Sequence, residues 1–227
     1  MQQRHDVPAE IFGRARGERG VDIARHREEG ADDVVGAKLV RLDDRAQQLV
    51  GRVEDLGGVT SVQLRLKRAT ARELAAAART LIAALRVPLL VNDRPDVAIA
   101  VGAAGVHVGP DDLPVALVRR IAPPGFIVGA SAGTPEEAAA AAGADYWGVG
   151  PWRITATKAD AGAALGPEGF ARIRELAGAI PCVAVGGVQP GDVAEIQAVG
   201  GAGAAVVRGL LGARDIEAEA RRYQRGG

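Results

Sequence analysis

Residues 126–150 read FIVGASAGTPEEAAAAAGADYWGVG, and they contain one complete cycle of the fold. FIVGAS is a short apolar run ending on Ser131, the mark of a buried strand with a polar residue at its carboxyl end. Thr134-Pro135-Glu136-Glu137 then supplies a hydroxyl cap, a proline in the first helical turn and two acids where the helix dipole favours them. Alanines carry the helix to residue 142, and YWGVG at 146–150 is a second strand. Strand, helix and strand in so short a span form a βαβ unit, so the two strands run parallel.

The same cycle repeats in both directions. Strands are expected at 38–42, 61–66, 88–92, 105–108, 126–131, 146–150, 181–186 and 204–208. Helices are expected at 44–56, 71–85, 95–101, 114–121, 135–142, 167–177, 190–199 and 215–223. Eight strand–helix units predict an α/β fold, a single (β/α)8 TIM barrel over residues 37–227. A doubly wound open sheet is the alternative, but it rarely needs eight such even repeats. Residues 1–36 are rich in Arg, Glu, Asp and Gly and carry no sustained period, so they read as a poorly structured N-terminal extension.

Composition narrows the function. With 28 basic and 28 acidic residues the formal net charge is zero, so no long-range field favours nucleic acid or a membrane surface, and any anion must be held by a local site. A single cysteine, Cys182 in the apolar run 180–185, supports neither a disulfide framework nor a metal cluster. No secretory signal and no apolar run of about 18 residues is visible, so a cytoplasmic location is expected.

Polar residues collect where the strands end. Gln63, Arg65 and Lys67 alternate with Val62, Leu64 and Leu66, which puts the two sets on opposite strand faces. The apolar set should meet the helices, leaving the polar set to point into the barrel or over its mouth. Two cations buried there need partners, and an anion supplies them; a solvated edge strand is the plainer reading. Asn92-Asp93 and Asp111-Asp112 follow neighbouring strands, where carboxylates can share Mg2+ with phosphate oxygens. Asp112 is equally suited to cap the helix after Leu113-Pro114. His107 decides nothing by its position, because such a histidine is more often a satisfied core residue than a base.

Thr155, Thr157 and Lys158 sit on a long loop after the sixth strand and carry donors of the kind that hold phosphates. A solvated loop is the plain alternative, although long loops of this type are commonly lids. Gly186-Gly187 ends strand seven and Val206–Gly209 closes strand eight, where barrel phosphate sites are frequently built. Two anion-holding regions imply two phosphorylated substrates.

From residue 38 to 211 the chain resembles thiamine-phosphate synthase. The resemblance rests on VQLRLK at 62–67, VNDR at 91–94, GVHVG at 105–109, DLP at 112–114, GAS at 129–131, GADY at 143–146, GVGP at 148–151, TATK at 155–158 and Gly186-Gly187, in this order and spacing. It implies a barrel that joins 4-amino-2-methyl-5-(diphosphooxymethyl)pyrimidine to a phosphorylated 4-methyl-5-hydroxyethylthiazole, with release of pyrophosphate. Carried over by position, Gln63, Arg65, Lys67, Asn92, Ser131 and Lys158 would hold the pyrimidine diphosphate. Of these, Arg65, Lys67, Ser131 and Lys158 would carry the catalysis. Asp93 and Asp112 would hold Mg2+. Thr155, Ala156, Thr157, Gly187, Val207 and Arg208 fall at the thiazole-phosphate positions. The resemblance leaves a homo-oligomer open.

Three residues depart from the family pattern. Arg208 stands where Ser is usual, Gly133 replaces a common His, and Pro110 replaces Gln. None removes a metal or diphosphate residue. A thiazole tautomerase, which shares the barrel, would work through a His at position 133. A barrel that binds thiamine phosphate without turnover is the other alternative.

Overall fold

The computed structural model describes residues 37–42, 59–154 and 163–225. Eight strands alternate with helices. They are β1 (Ala37–Leu42), β2 (Ser61–Leu64), β3 (Leu89–Asn92), β4 (Gly105–Val108), β5 (Ile127–Ser131), β6 (Tyr146–Val149), β7 (Cys182–Val185) and β8 (Gly203–Val206). Every neighbouring pair is parallel, and β1 pairs with both β2 and β8, so the sheet closes on itself. The described helices are α1 (Ala71–Ala84), α2 (Pro95–Val101), α3 (Val115–Ile121), α4 (Pro135–Ala140), α5 (Gly166–Ala177), α6 (Val193–Ala198), α7 (Arg208–Leu211) and α8 (Ile216–Arg225). This is an α/β fold on a parallel sheet. The helix expected at 44–56 and the extension 1–36 lie outside the described residues.

Alternation along each strand builds two cores. Val62 and Leu64, Val91, Val106 and Val108, Val128 and Ala130, Trp147 and Val149, Cys182 and Ala184 join the cluster that faces the helices. The opposite parity puts Leu90, Ile127, Tyr146, Val183, Val185 and Ala205 together inside the sheet. Helix α1 shows how the outer layer is made: Leu74, Ala77, Ala78 and Leu81 recur at helical spacing and are its buried residues. Trp152, just past β6, meets Phe170 of α5 edge to face at 5.6 Å and 75°. A fully buried Phe or Leu in such a layer contributes about 1.5–3 kcal/mol relative to an exposed one.

Helix starts follow local chemistry. Thr70 caps α1 and exchanges bonds with Glu73 in a full capping box. Thr134 Oγ1 accepts the Glu137 N–H at 3.2 Å, the cap expected from TPEE. The GADY motif also has a structural role. Asp145 accepts the Val128 N–H at 2.8 Å and pairs with Arg119 at 2.7 Å, tying α3 to the foot of β5 and β6. No described helix is long and apolar enough to cross a membrane.

Three elements end differently from expectation. Strand β2 stops at Leu64 rather than at residue 66. Strand β8 stops at Val206, and Arg208 opens the one-turn helix α7 instead of ending the strand. The helix expected at 190–199 begins as a 3-10 turn, Pro190–Asp192, before α6.

Candidate active site

The inner faces of the strands bring polar groups to the carboxyl-end mouth of the sheet. Asn92, the last residue of β3, is 8% exposed, and its Nδ2 is buried with no hydrogen-bond partner among the described residues. A buried amide donor without an acceptor costs about 1–3 kcal/mol. Its position on the inward parity of β3, beside Leu90, aims that donor at whatever the mouth binds. Asp93 follows with φ 65°, a left-handed conformation that Asp tolerates better than most residues. Its N–H donates to the His107 carbonyl at 2.8 Å, which pins it across to β4.

A line of side chains crosses the interior. Ser131 Oγ lies 3.2 Å from His107 Nε2, His107 Nδ1 lies 2.9 Å from the Tyr146 hydroxyl, and that hydroxyl also bonds to Gln63. The line joins β5, β4, β6 and β2. Burial drives the Tyr146 hydroxyl well above its ordinary pKa, with the Gln63 bond opposing more weakly, so the phenol stays protonated. Two glycines make room for the rings. A Cβ on Gly129 would sit 2.2 Å from Tyr146 Cζ, and one on Gly148 would sit 3.1 Å from His107 Cε1. Sequence reasoning missed Tyr146 and left His107 undecided. The available signal was parity: both residues fall on the inward face, next to glycines on neighbouring strands.

The other expected residues are placed as follows. Gln63 is 3% exposed on the inner face of β2. Arg65 and Lys67 lie beyond the end of that strand, Arg65 half-buried and Lys67 exposed, so strict strand alternation stops before them. Asp112 does not cap α3, whose N-cap is Pro114 without a side-chain bond. Its Oδ2 instead accepts the Gly109 N–H at 2.7 Å and closes the turn after β4. Gly187 follows β7 with φ 70°. Val207 is half-buried just past β8, and Arg208 begins α7. Thr155, Ala156, Thr157 and Lys158 lie outside the described residues. At position 133, the Gly133 N–H donates to Glu137 Oε2 at 2.6 Å, and a Cβ would lie 2.7 Å from the Gly150 carbonyl. No histidine fits there without a backbone shift.

A closed parallel sheet, with buried polar groups and strand-end carboxylates gathered at its carboxyl mouth, defines an α/β enzyme fold of the phosphate-handling kind. The comparisons narrow that class. A family model described as thiamine monophosphate synthase matches residues 34–210, and the chain belongs to that family. It is 46% identical over 172 residues to a thiamine-phosphate synthase of Methanospirillum hungatei JF-1, covering 74% of this chain and 83% of that one. It is 44% identical over 195 residues to that of Methanoculleus marisnigri, covering 84% and 89%. Among solved structures it is similar to thiamine phosphate pyrophosphorylase from Pyrococcus furiosus, with TM-score 0.73, 35% identity, and coverage of 85% and 95%. A 3-hexulose-6-phosphate synthase from Salmonella typhimurium shares the fold at TM-score 0.66 and 17% identity, with coverage of 84% and 97%.

Proposed function

We propose that the chain is a transferase that makes thiamine phosphate from the pyrimidine diphosphate and the phosphorylated thiazole, releasing pyrophosphate. The observation that carries the reading is the Asn92 Nδ2, a buried donor with no acceptor among the described residues, set between Asp93 and the Ser131–His107–Tyr146–Gln63 line. The family match and the relatives' names supply the reaction. We also assign the closed sheet to a complete (β/α)8 barrel, with residues 43–58 carrying its first helix and residues 1–36 standing as an extension outside it.

In this reading the pyrimidine diphosphate lies over β2 to β5. Gln63 and Asn92 orient it, and Ser131 Oγ, held by His107 Nε2, donates to the departing group. Arg65, Lys67 and Lys158 neutralise the charge that builds on pyrophosphate as it leaves. The C–O bond breaks with its electron pair going to pyrophosphate, and the thiazole nitrogen lone pair closes the new C–N bond. No enzyme nucleophile and no proton transfer are required, so rate comes from positioning and charge. Thr155, Ala156, Thr157, Gly187, Val207 and Arg208 hold the thiazole phosphate.

Mg2+ fits the residues present. Among the described residues no three or more His, Cys, Asp or Glu side chains gather to hold a metal on protein ligands alone. Two hard carboxylates at adjacent strand ends, Asp93 and Asp112, suit an ion that keeps waters and takes phosphate oxygens. Bound there, it would neutralise diphosphate charge. The tautomerase alternative is disfavoured by the lack of space at Gly133.

The test is a coupled assay with both phosphorylated substrates, with and without Mg2+. Thiamine phosphate should form only in the presence of the metal. Wild-type protein that binds both substrates yet yields none would leave only the non-catalytic alternative.

A further inference from the structure

We propose that Arg153 and Asp192 are a positioning pair for the thiazole-phosphate end of the site, acting by locking the start of the loop after β6 against Gly187. The proposal rests on the assignment of Gly187 to that phosphate. Neither residue touches substrate in the mechanism above, and nothing in that mechanism requires an ion pair here.

The pair is built into its surroundings. Arg153 Nε donates to Asp192 Oδ2 at 3.1 Å, and its second nitrogen reaches Oδ1, a two-pronged, charge-assisted contact. Asp192 is 4% exposed, while the Arg153 side chain is 51% exposed. A carboxylate that deep is rare unless paired. It also accepts the Gln189 N–H at 2.8 Å and a bond from the Trp152 side chain. Burial pushes the carboxyl pKa up, but Arg153, Gln189 and Trp152 together outweigh it and hold the group ionised.

The backbone around the pair explains what it fixes. Trp152 and Arg153 donate their N–H groups to the carbonyls of Val185 and Gly186, at 2.8 and 2.9 Å. The Arg153 Cβ occupies the space a side chain on Gly187 would need, with only 2.9 Å between it and a Cβ built there. The far side of the loop closes on the same residues, as Leu165 N–H meets the Pro151 carbonyl at 2.8 Å and Gly166 N–H meets that of Trp152 at 3.3 Å. Asp192, at the end of the 3-10 turn, thus clamps β6's exit onto the Gly186-Gly187 turn. That turn has left-handed φ at both residues and no side chains of its own to hold it. A phosphate held by backbone N–H groups depends on their placement, and misplacement of about 1 Å can cost 100-fold.

The experiment measures KM for each substrate, kcat and the thermal midpoint in wild type, Asp192→Asn, Arg153→Lys and the double variant Arg153→Gln/Asp192→Asn. Asp192→Asn keeps size and the Gln189 acceptor but loses the charged fork. It should raise KM for the phosphorylated thiazole about tenfold, leaving KM for the pyrimidine diphosphate within about twofold. Arg153→Lys, which keeps the cation but not the fork, should show a smaller rise in the same constant. The double variant should be no worse than Asp192→Asn alone, because the coupling is already gone. Equal shifts in both KM values, or a lower thermal midpoint with neither KM moved, would overturn the pair's role and leave it as scaffold. Wild-type enzyme without turnover would overturn the functional reading itself, before any variant is compared.

Discussion

At the scale of single residues, Asp93 is constrained twice, by its left-handed φ of 65° and by its N–H bond to His107. That makes Asp93→Asn a cleaner probe than Asp93→Ala, because Asn accepts the left-handed region and Ala does not. Asp93→Asn should lower turnover about 100-fold or more while shifting the thermal midpoint by no more than about 3 °C. Undiminished turnover would remove Asp93 from the metal site. Asp192 gives a pH prediction. Its folded pKa lies below the ordinary 3.8, so its contribution to stability is complete above that value and is lost as pH falls through the lower folded one. Wild type should therefore exceed Asp192→Asn in urea midpoint at about pH 6 and converge with it at strongly acid pH. A gap that persists in acid would show that charge is not its source.

Among the elements, the cap of α1 gives a direct test of local encoding. Thr70→Ala removes both halves of the Thr70–Glu73 exchange and should cost about 1 kcal/mol in urea unfolding, with KM values unchanged because α1 packs outside the sheet. A loss of activity without a loss of stability would contradict that separation. Such caps explain how much was legible. Thr134-Pro135 and the 3.6-residue apolar spacing located the helices, and alternation set which strand faces turn inward. What escaped has physical reasons. Strand β2 stops at Leu64 because the main chain leaves the ladder before the charged residues, and no composition change marks that point. Arg208 looks like the end of an apolar run yet turns into α7, since one helical turn is too short to show a period. Of the site, Asn92, Gln63 and Ser131 were readable as strand-end polar groups. The His107–Tyr146 contact was not, because it depends on ring space opened by Gly129 and Gly148 on different strands.

For the molecule as a whole, closure of the sheet depends on β1. Ala37 and Val40 pair with Gly203 and Val206 on one side, while Leu39 and Leu42 pair with Ser61 and Leu64 on the other. Without that strand, β2 and β8 would each expose an unpaired edge, and the inner cluster around Leu90, Val183 and Ala205 would open to water. The family match begins at residue 34, just ahead of this strand. Two truncations therefore separate extension from barrel. A chain starting at residue 34 should keep kcat, both KM values and the thermal midpoint of the full chain. A chain starting at residue 43 loses β1 whole, and it should show no cooperative melt by circular dichroism and no turnover. If the shorter deletion alone destroyed folding, residues before 34 would have to be counted as part of the barrel's structure, because the seam between β1 and β8 would then need them to hold.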